Sequence, residues 1–295
     1  MRHFVRQLRL KFMPVIVGPQ YFGFVLYKRE LLPDCEALPA LRWAAAFLSL
    51  GPLLWSATLL LNDVCDLEQD RVNPRKAGSP LVSGNVSRAA VLRTAIAMLV
   101  SALVLSALVS PGFFVMAVSC SVLAVLYSVR PFRLKERPGF DVFVNALGIG
   151  VLCPLAGWSI EAPIHAFPWP FLLPLVTGFI GFYIPTTMMD ASADRESGGT
   201  SFAVRFGFCI SRGTSLAAIV VCNLSVLVFA LFGYVITPRL FACMAPIVIF
   251  QVLVLLVSLR REDRPDVIWR GTYIAAMAGL AAEVVFILYL VGAIL

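Results

Sequence analysis

Apolar and polar positions follow one another along this chain in long blocks. Nine mostly apolar blocks alternate with polar loops. Because a helix needs about 20 apolar residues to cross the hydrocarbon core of a bilayer, each block predicts a transmembrane helix. The predicted helices cover residues 12–27, 43–61, 89–109, 112–128, 141–160, 168–189, 214–235, 239–259 and 271–294. We therefore expect an all-α, polytopic membrane protein with nine transmembrane helices in a bundle around a central cavity.

Composition supports this interpretation. Hydrophobic residues make up 60% of the chain and charged residues 14%, whereas soluble domains carry roughly 25% charged residues. This excludes a water-soluble enzyme and a disordered chain, and it argues against a nucleic-acid partner despite the net charge of +7. The seven cysteines are scattered without a CxxC pair and there are two histidines, which argues against a disulfide framework and against a zinc or haem site.

The position of the basic residues predicts the orientation in the membrane. With nine helices, 20 of the 24 Lys and Arg residues fall in the N-terminal segment, in the loops after helices two, four, six and eight, and in the flank of the first of these loops, which includes Arg93. Since positive charge is enriched on the cytoplasmic side, we expect the N-terminus and these loops to be cytoplasmic.

A first acidic motif closes the second predicted helix, where four acids fall within nine residues. If the helix continues, Asn62, Asp66 and Asp70 lie at i, i+4 and i+8 on one face, and Asp63 flanks that face. Like charges at this spacing destabilise a helix, and ionisable groups near hydrocarbon are costly. A bound cation explains such an array better than a solvated acidic loop does.

A second acidic motif closes the sixth predicted helix, where Asp190 and Asp194 repeat the i, i+4 spacing. Even-numbered helices run in the same direction, so both motifs are expected on the cytoplasmic face. Carboxylate and amide oxygens suit Mg²⁺, which is commonly held by a few carboxylates together with substrate phosphates. We therefore predict that both motifs grip one phosphorylated lipid through Mg²⁺.

Basic residues follow the acids on the same predicted face. Carboxylates, a divalent ion and cations together form a clamp for a diphosphate. The alternative for each cation alone is the ordinary positive-inside signal. The candidates for diphosphate binding are Arg75, Lys76, Arg130, Arg133 and Lys135, with Tyr127 beside them as a candidate catalytic residue.

These motifs together resemble the UbiA superfamily of intramembrane prenyltransferases. The residues NDVCDLEQD at 62–70 match the family's first motif NDxxDxxxD, and the residues that follow at 73–87 resemble its usual continuation. The segments YSVRPFRLK at 127–135, GGTSFAVRFG at 198–207 and PVIVG at 14–18 are similar to further family segments. Because the resemblance spans the whole chain, it implies one transmembrane prenyltransferase domain over 1–295.

The resemblance implies a chemistry and its partners. A polyprenyl diphosphate would ionise at Mg²⁺ held by Asn62, Asp66, Asp70, Asp190 and Asp194, with Asp63 as a further ligand or an orienting residue. The allyl cation would then be transferred to a lipophilic or aromatic acceptor within the membrane lipid. Members that prenylate aromatic acids carry a lysine four residues after the tyrosine that resembles Tyr127, where this chain has Pro131. Arg130, Arg133 or Lys135 would substitute for it.

Two other functions stay open at this point. A membrane terpene cyclase would use the same metal and diphosphate but let an internal double bond capture the cation. A transporter would place its polar sites near the middle of broken helices, whereas the acids here cluster at helix ends.

Two residues near the motifs carry weaker signals. Tyr183 lies two turns before Asp190 on the same face of the helix. Its ring either faces the allyl cation or packs as an ordinary core residue. Asp141 opens the fifth predicted helix, where an acid favours the positive end of the helix dipole. We interpret Asp141 as a structural residue.

Overall fold

The fold is described by a computed structural model covering residues 7–8, 13–71, 76–196, 198–262 and 264–294. Within these residues every regular element is a helix, which confirms the all-α prediction. The principal helices are α1 Pro14–Lys28, α2 Ala37–Arg71, α3 Arg88–Val109, α4 Pro111–Ser128, α5 Phe140–Trp158, α6 Leu172–Glu196, α7 Phe202–Leu231, α8 Pro238–Ser258 and α9 Pro265–Leu290.

Eight of these helices, α2 to α9, are long and apolar enough to span a membrane within the described residues. The prediction of nine spans was therefore wrong by one. Helix α1 has 15 residues, and at 1.5 Å per residue it reaches about 22 Å, short of a hydrocarbon core of about 30 Å. The arrangement around a central cavity stays a prediction.

Helix starts follow from local sequence. The side chain of Ser87 accepts a hydrogen bond from the third residue of α3, Ser110 does so for α4, and Thr237 does so for α8. Pro111 and Pro238 occupy first helical positions, where the missing N–H costs nothing. The polar residues before 214 were predicted as loop, yet α7 begins at Phe202 and runs through a kink at Gly207.

The chain divides into two compact units, which are described separately. The first unit comprises residues 1–135 and 152–167. Its α2 continues to Arg71 as the acidic spacing predicts, and the buried face of its last turns packs Leu60 and Val64 against Val91 of α3. A π-helical stretch, Ser49–Trp55, interrupts α2 at Pro52, which cannot donate an α-helical hydrogen bond.

The second unit comprises residues 136–151 and 168–295. Its core centres on Ile184 of α6, Ile219 of α7 and Leu255 of α8, all of which are buried. Ser215 of α7 donates a hydrogen bond to the carbonyl oxygen of Gly181 at 2.7 Å. This close contact between α6 and α7 fixes the helix that carries the second acidic motif.

In the first unit, α1 lies directly on the C-terminal turns of α5, and glycines make this contact possible. A Cβ atom at Gly23 would overlap with the carbonyl oxygen of Pro154. We expect Gly23→Ala to destabilise the protein by about 1–3 kcal/mol, because the overlap is with backbone and the helices must move apart. Thermal unfolding of the detergent-solubilised protein measures the change.

Gly18 of the same helix supplies the matched control, since a Cβ atom there would meet nothing within 4 Å. Gly18→Ala should leave stability unchanged or raise it by up to about 1 kcal/mol through helix propensity. Equal unfolding temperatures for the two variants would contradict the close contact between α1 and α5.

Candidate functional site

The first acidic motif occupies the last turns of α2, and two of its residues contact each other along one face. The Nδ2 atom of Asn62 donates a hydrogen bond to Oδ2 of Asp66 at 2.9 Å. The Asp66 side chain is 15% exposed. The i, i+4 spacing therefore places these two polar side chains together, as the sequence predicts.

Two cations from the loop after α4 converge on the same carboxylate. Nη2 of Arg133 lies 2.9 Å from Oδ1 of Asp66, and the Lys135 ammonium pairs with that oxygen as well. Lys135 also donates to Oδ1 of Asn62 at 2.7 Å, and Ser128 donates to this amide oxygen at 3.2 Å. We call Asn62, Asp66, Ser128, Arg133 and Lys135 the Asp66 cluster.

The electrostatics of the Asp66 cluster reflect its burial. Removal from water lowers the pKa of the Lys135 ammonium from its ordinary value, and the Asp66 carboxylate counteracts part of that effect. Arg133 is 7% exposed and also donates to Gln69 at 2.6 Å and to the Cys65 carbonyl at 3.3 Å. The cluster is thus a nearly buried network in which cations and oxygens alternate.

Two other predicted residues of the first motif, Asp70 and Asp63, make different contacts. Asp70 pairs with Lys76 at 3.3 Å, and its side chain is 14% exposed. Asp63 is buried and accepts a hydrogen bond from Nε2 of Gln7. The structure therefore places Asp63 against the N-terminal segment, where it braces α2.

Three further candidates of the first unit are Tyr127, Arg130 and Arg75. Tyr127 is partly buried in the last turn of α4, and Arg130 just beyond it is exposed. Arg75 lies outside the described residues. Of the three cations that could replace the missing lysine, the structure thus brings Arg133 and Lys135 to Asp66.

Ser128 and Gln69 were not predicted as site residues, yet they complete the network around Asn62 and Arg133. Gln69 stands three residues after Asp66, a spacing that shares its face of the helix. Ser128 had no comparable signal, because its contact with Asn62 joins two helices that are distant along the chain.

The second acidic motif lies at the end of α6, within the second unit. Asp190 is exposed and Asp194 is partly buried. Ser201 donates a hydrogen bond to Oδ2 of Asp194 at 2.8 Å, and the amide of Gly199 donates to the Asp194 backbone carbonyl at 2.6 Å. The loop after α6 therefore folds back onto its own acidic end.

The donor set fits Mg²⁺. Among the described residues, no three His, Cys, Asp or Glu side chains are gathered into a metal-binding group. The oxygens of Asn62 and Asp66 nevertheless converge on one point of positive charge, the Lys135 ammonium. Two hard oxygens directed at one cation match the ligand preference of Mg²⁺.

The chain matches a known protein family over most of its length. The model of the UbiA prenyltransferase family matches residues 17–292. The 2-acylphloroglucinol 4-prenyltransferase of Humulus lupulus is 28% identical over 193 residues, which cover 62% of this chain and 46% of that protein. Chlorophyll synthase of Oryza sativa subsp. japonica is 29% identical over 187 residues, 60% of this chain and 48% of that protein. The chain thus spans about half the length of the curated relatives it matches.

A solved structure shares the fold over nearly the full length. A UbiA homologue from Archaeoglobus fulgidus bound to DMAPP and Mg²⁺ superposes with a TM-score of 0.74 at 21% identity, covering 96% of this chain and 98% of that one. The eight apolar helices found in the described part of the chain, together with the family match, make it an integral, multi-pass membrane protein.

The Asp66 cluster predicts a large effect of removing one buried cation. Arg133→Ala should destabilise the protein by about 3 kcal/mol, because it removes one of the two cations at Asp66 and the donor that Gln69 and the Cys65 carbonyl share in a nearly buried setting. Thermal or denaturant unfolding in detergent measures the difference from the unmodified chain.

Arg71→Ala is the control for this prediction. Arg71 pairs with Glu68 at 3.1 Å, but the two side chains are 56% and 80% exposed. An exposed pair of this kind contributes about 0–1 kcal/mol. If both arginine variants lose the same stability, the network around Asp66 does not hold the loop after α4 in place.

Proposed function

Because the chain belongs to the UbiA prenyltransferase family, we propose that it is a Mg²⁺-dependent intramembrane prenyltransferase. Its donor would be a polyprenyl diphosphate and its acceptor a lipophilic or aromatic molecule in the membrane. The observation that carries the proposal is the Asp66 cluster. In this cluster, amide and carboxylate oxygens of the kind that bind Mg²⁺ lie within hydrogen-bonding distance of an arginine and a lysine, which are the side chains that bind phosphate.

The acids would hold the metal ions. Mg²⁺, when bound, neutralises the charge that develops on the leaving diphosphate. We assign Asn62, Asp66 and Asp70 of the first motif, and Asp190 and Asp194 of the second, as its ligands. That both motifs serve one diphosphate stays a prediction from the sequence.

The cations would bind phosphate oxygens. Lys135 and Arg133 reach Asp66 from the loop after α4, so they can exchange part of their contact with the carboxylate for charge-assisted bonds to phosphate. Lys76, at Asp70, would act similarly, and Arg75 and Arg130 are further candidates. Asp63, held by Gln7, would orient the helix and not ligate the metal.

The apolar helices would protect the allyl cation. Such a cation reacts with water unless the site is dry, and helices that span lipid provide that environment. The ring of Tyr127, partly buried beside the Asp66 cluster, would stabilise positive charge through its face.

Prenyl transfer is favoured over the cyclase alternative by one observation. The lysine of members that prenylate aromatic acids is missing at position 131, and its absence keeps a cyclase open. Lys135, however, supplies an ammonium group at Asn62 and Asp66. The two reactions separate in an incubation without acceptor, since a cyclase would still consume the prenyl diphosphate and form a cyclic hydrocarbon. Positive-inside charge continues to predict that the loops after α2, α4, α6 and α8 are cytoplasmic. The cytoplasmic N-terminus was predicted from nine crossings, and it does not follow from eight spans that begin with α2.

The metal-ligand assignment predicts the loss of activity in two separate variants. Asp66→Asn and Asp194→Asn should each reduce Mg²⁺-dependent release of diphosphate from geranyl diphosphate by at least about a hundredfold, because each removes a charged metal ligand. The assay uses membranes that contain the full chain, with mass spectrometry of the lipid product.

Glu68→Gln is the matched control. Glu68 belongs to the same acidic segment but its side chain is 80% exposed and paired with Arg71, so its loss should leave the rate within about twofold of the unmodified chain. Turnover that persists when EDTA has removed divalent ions would overturn the proposed chemistry. Equal losses in all three variants would overturn the residue assignment.

A further inference from the structure

The second acidic motif is joined to α7 by a hydrogen bond from a serine that would ordinarily cap this helix. Ser201 is the N-cap residue of α7, and a serine there ordinarily accepts a hydrogen bond from the second or third helical amide. Here the Ser201 side chain makes no such bond. Its hydroxyl instead donates to Oδ2 of Asp194 at 2.8 Å.

Asp141 stabilises the start of α7 at the amide next to Ser201. It belongs to the first turn of α5 and is 2% exposed. One of its carboxylate oxygens accepts the amide hydrogen of Phe202, the first residue of α7, at 2.8 Å. The other oxygen accepts the amide of Gly139 at 2.8 Å. A buried negative charge therefore satisfies the helix start and complements the positive end of its dipole.

The same face of α5 also contacts α6 one turn further on. Asn145 stands four residues after Asp141 and donates from Nδ2 to the Tyr183 hydroxyl at 3.1 Å. Asn145 of α5 thus contacts α6 directly, whereas Asp141 of α5 contacts the first residue of α7. The Asn145 contact fixes the position of α5 along α6.

From these contacts we propose that Asp141 is a positioning residue for Asp194. By accepting the Phe202 amide, it anchors the peptide between Ser201 and Phe202, and this fixes the Ser201 hydroxyl against the Asp194 carboxylate. Without Asp141, this peptide would lose its anchor and the Ser201 hydroxyl its fixed position beside Asp194. The proposal rests on the proposed role of Asp194 as a ligand of Mg²⁺ and diphosphate.

The experiment compares four variants of the full chain in detergent micelles: Asp141→Asn, Ser201→Ala, the double variant and Thr237→Ala. Thr237 caps α8 of the same unit by accepting from the Leu240 amide at 3.3 Å. Its loss therefore removes a helix cap without touching Asp194. Two quantities are measured for each protein: the unfolding temperature without ligand, and the affinity for geranyl diphosphate at a fixed Mg²⁺ concentration.

The expected result separates positioning from stability. Asp141→Asn and Ser201→Ala should each weaken geranyl diphosphate binding by about tenfold, the effect of one hydrogen bond to a charged group. The double variant should bind geranyl diphosphate about as well as either single variant does, because both substitutions act through one contact and their effects do not add. Thr237→Ala should unfold at a lower temperature but bind as the unmodified chain does.

Three results would overturn the proposal. The first is a folded Ser201→Ala protein with undiminished affinity, which tests the contact even if Asp141→Asn fails to fold. The second is an Asp141→Asn protein that matches Thr237→Ala in affinity, which makes Asp141 a structural cap alone. The third is an unmodified chain that does not bind geranyl diphosphate with Mg²⁺, and this result alone would also overturn the proposed function.

Discussion

A carboxylate in the last turns of an apolar helix has to be compensated, and the loop after α4 is organised by that requirement. Asp66 stands where water is scarce, so an uncompensated charge there would cost several kcal/mol. Arg133 and Lys135 reach it from 67 and 69 residues along the chain, and the contact ties α2 to the loop that follows α4. Ser128 and Asn62 complete the same network. The compensation for one acid thus assembles the cations that the proposed reaction needs.

Much of the fold could be predicted from sequence because lipid restricts the choices. A backbone in hydrocarbon has to satisfy its own hydrogen bonds, so long apolar blocks become helices. The errors arise where the blocks meet polar sequence. Helix α7 begins at Phe202 although Arg205 and Arg212 lie in its first turns, because a helix with an apolar face carries polar residues readily once it leaves the hydrocarbon. Helix α1 was counted as a span although its predicted block, 12–27, has about 16 residues, and the helix in the structure has 15. Its end was predicted correctly, but a block of that length does not cross the hydrocarbon core.

The candidate site could be predicted where it depends on local spacing, and the family resemblance is confirmed over residues 17–292. The pairing of Asn62 with Asp66 follows from helical periodicity alone. The partner of Asp63 and the choice of Lys135 over Arg130 did not follow, because they depend on how distant segments approach each other. Asp141 shows both sides of this. Its position at the start of α5 could be predicted from the sequence. Its hydrogen bond with the Phe202 amide of α7 could not, because that contact depends on the fold.

Both acidic motifs stand at the C-terminal ends of their helices, which is the unfavourable end for negative charge. The helix dipole opposes a carboxylate there, and the i, i+4 spacing adds repulsion between like charges. Each motif is stabilised differently: Asp66 by the buried Arg133 and the partly buried Lys135, and Asp194 by the Ser201 hydroxyl next to the amide that Asp141 accepts. Stability alone would favour neutral residues at these positions. An arrangement that accepts this cost twice, and builds a separate support for each acid, is the one expected if the carboxylates are kept for a cation that binds only when the substrate does.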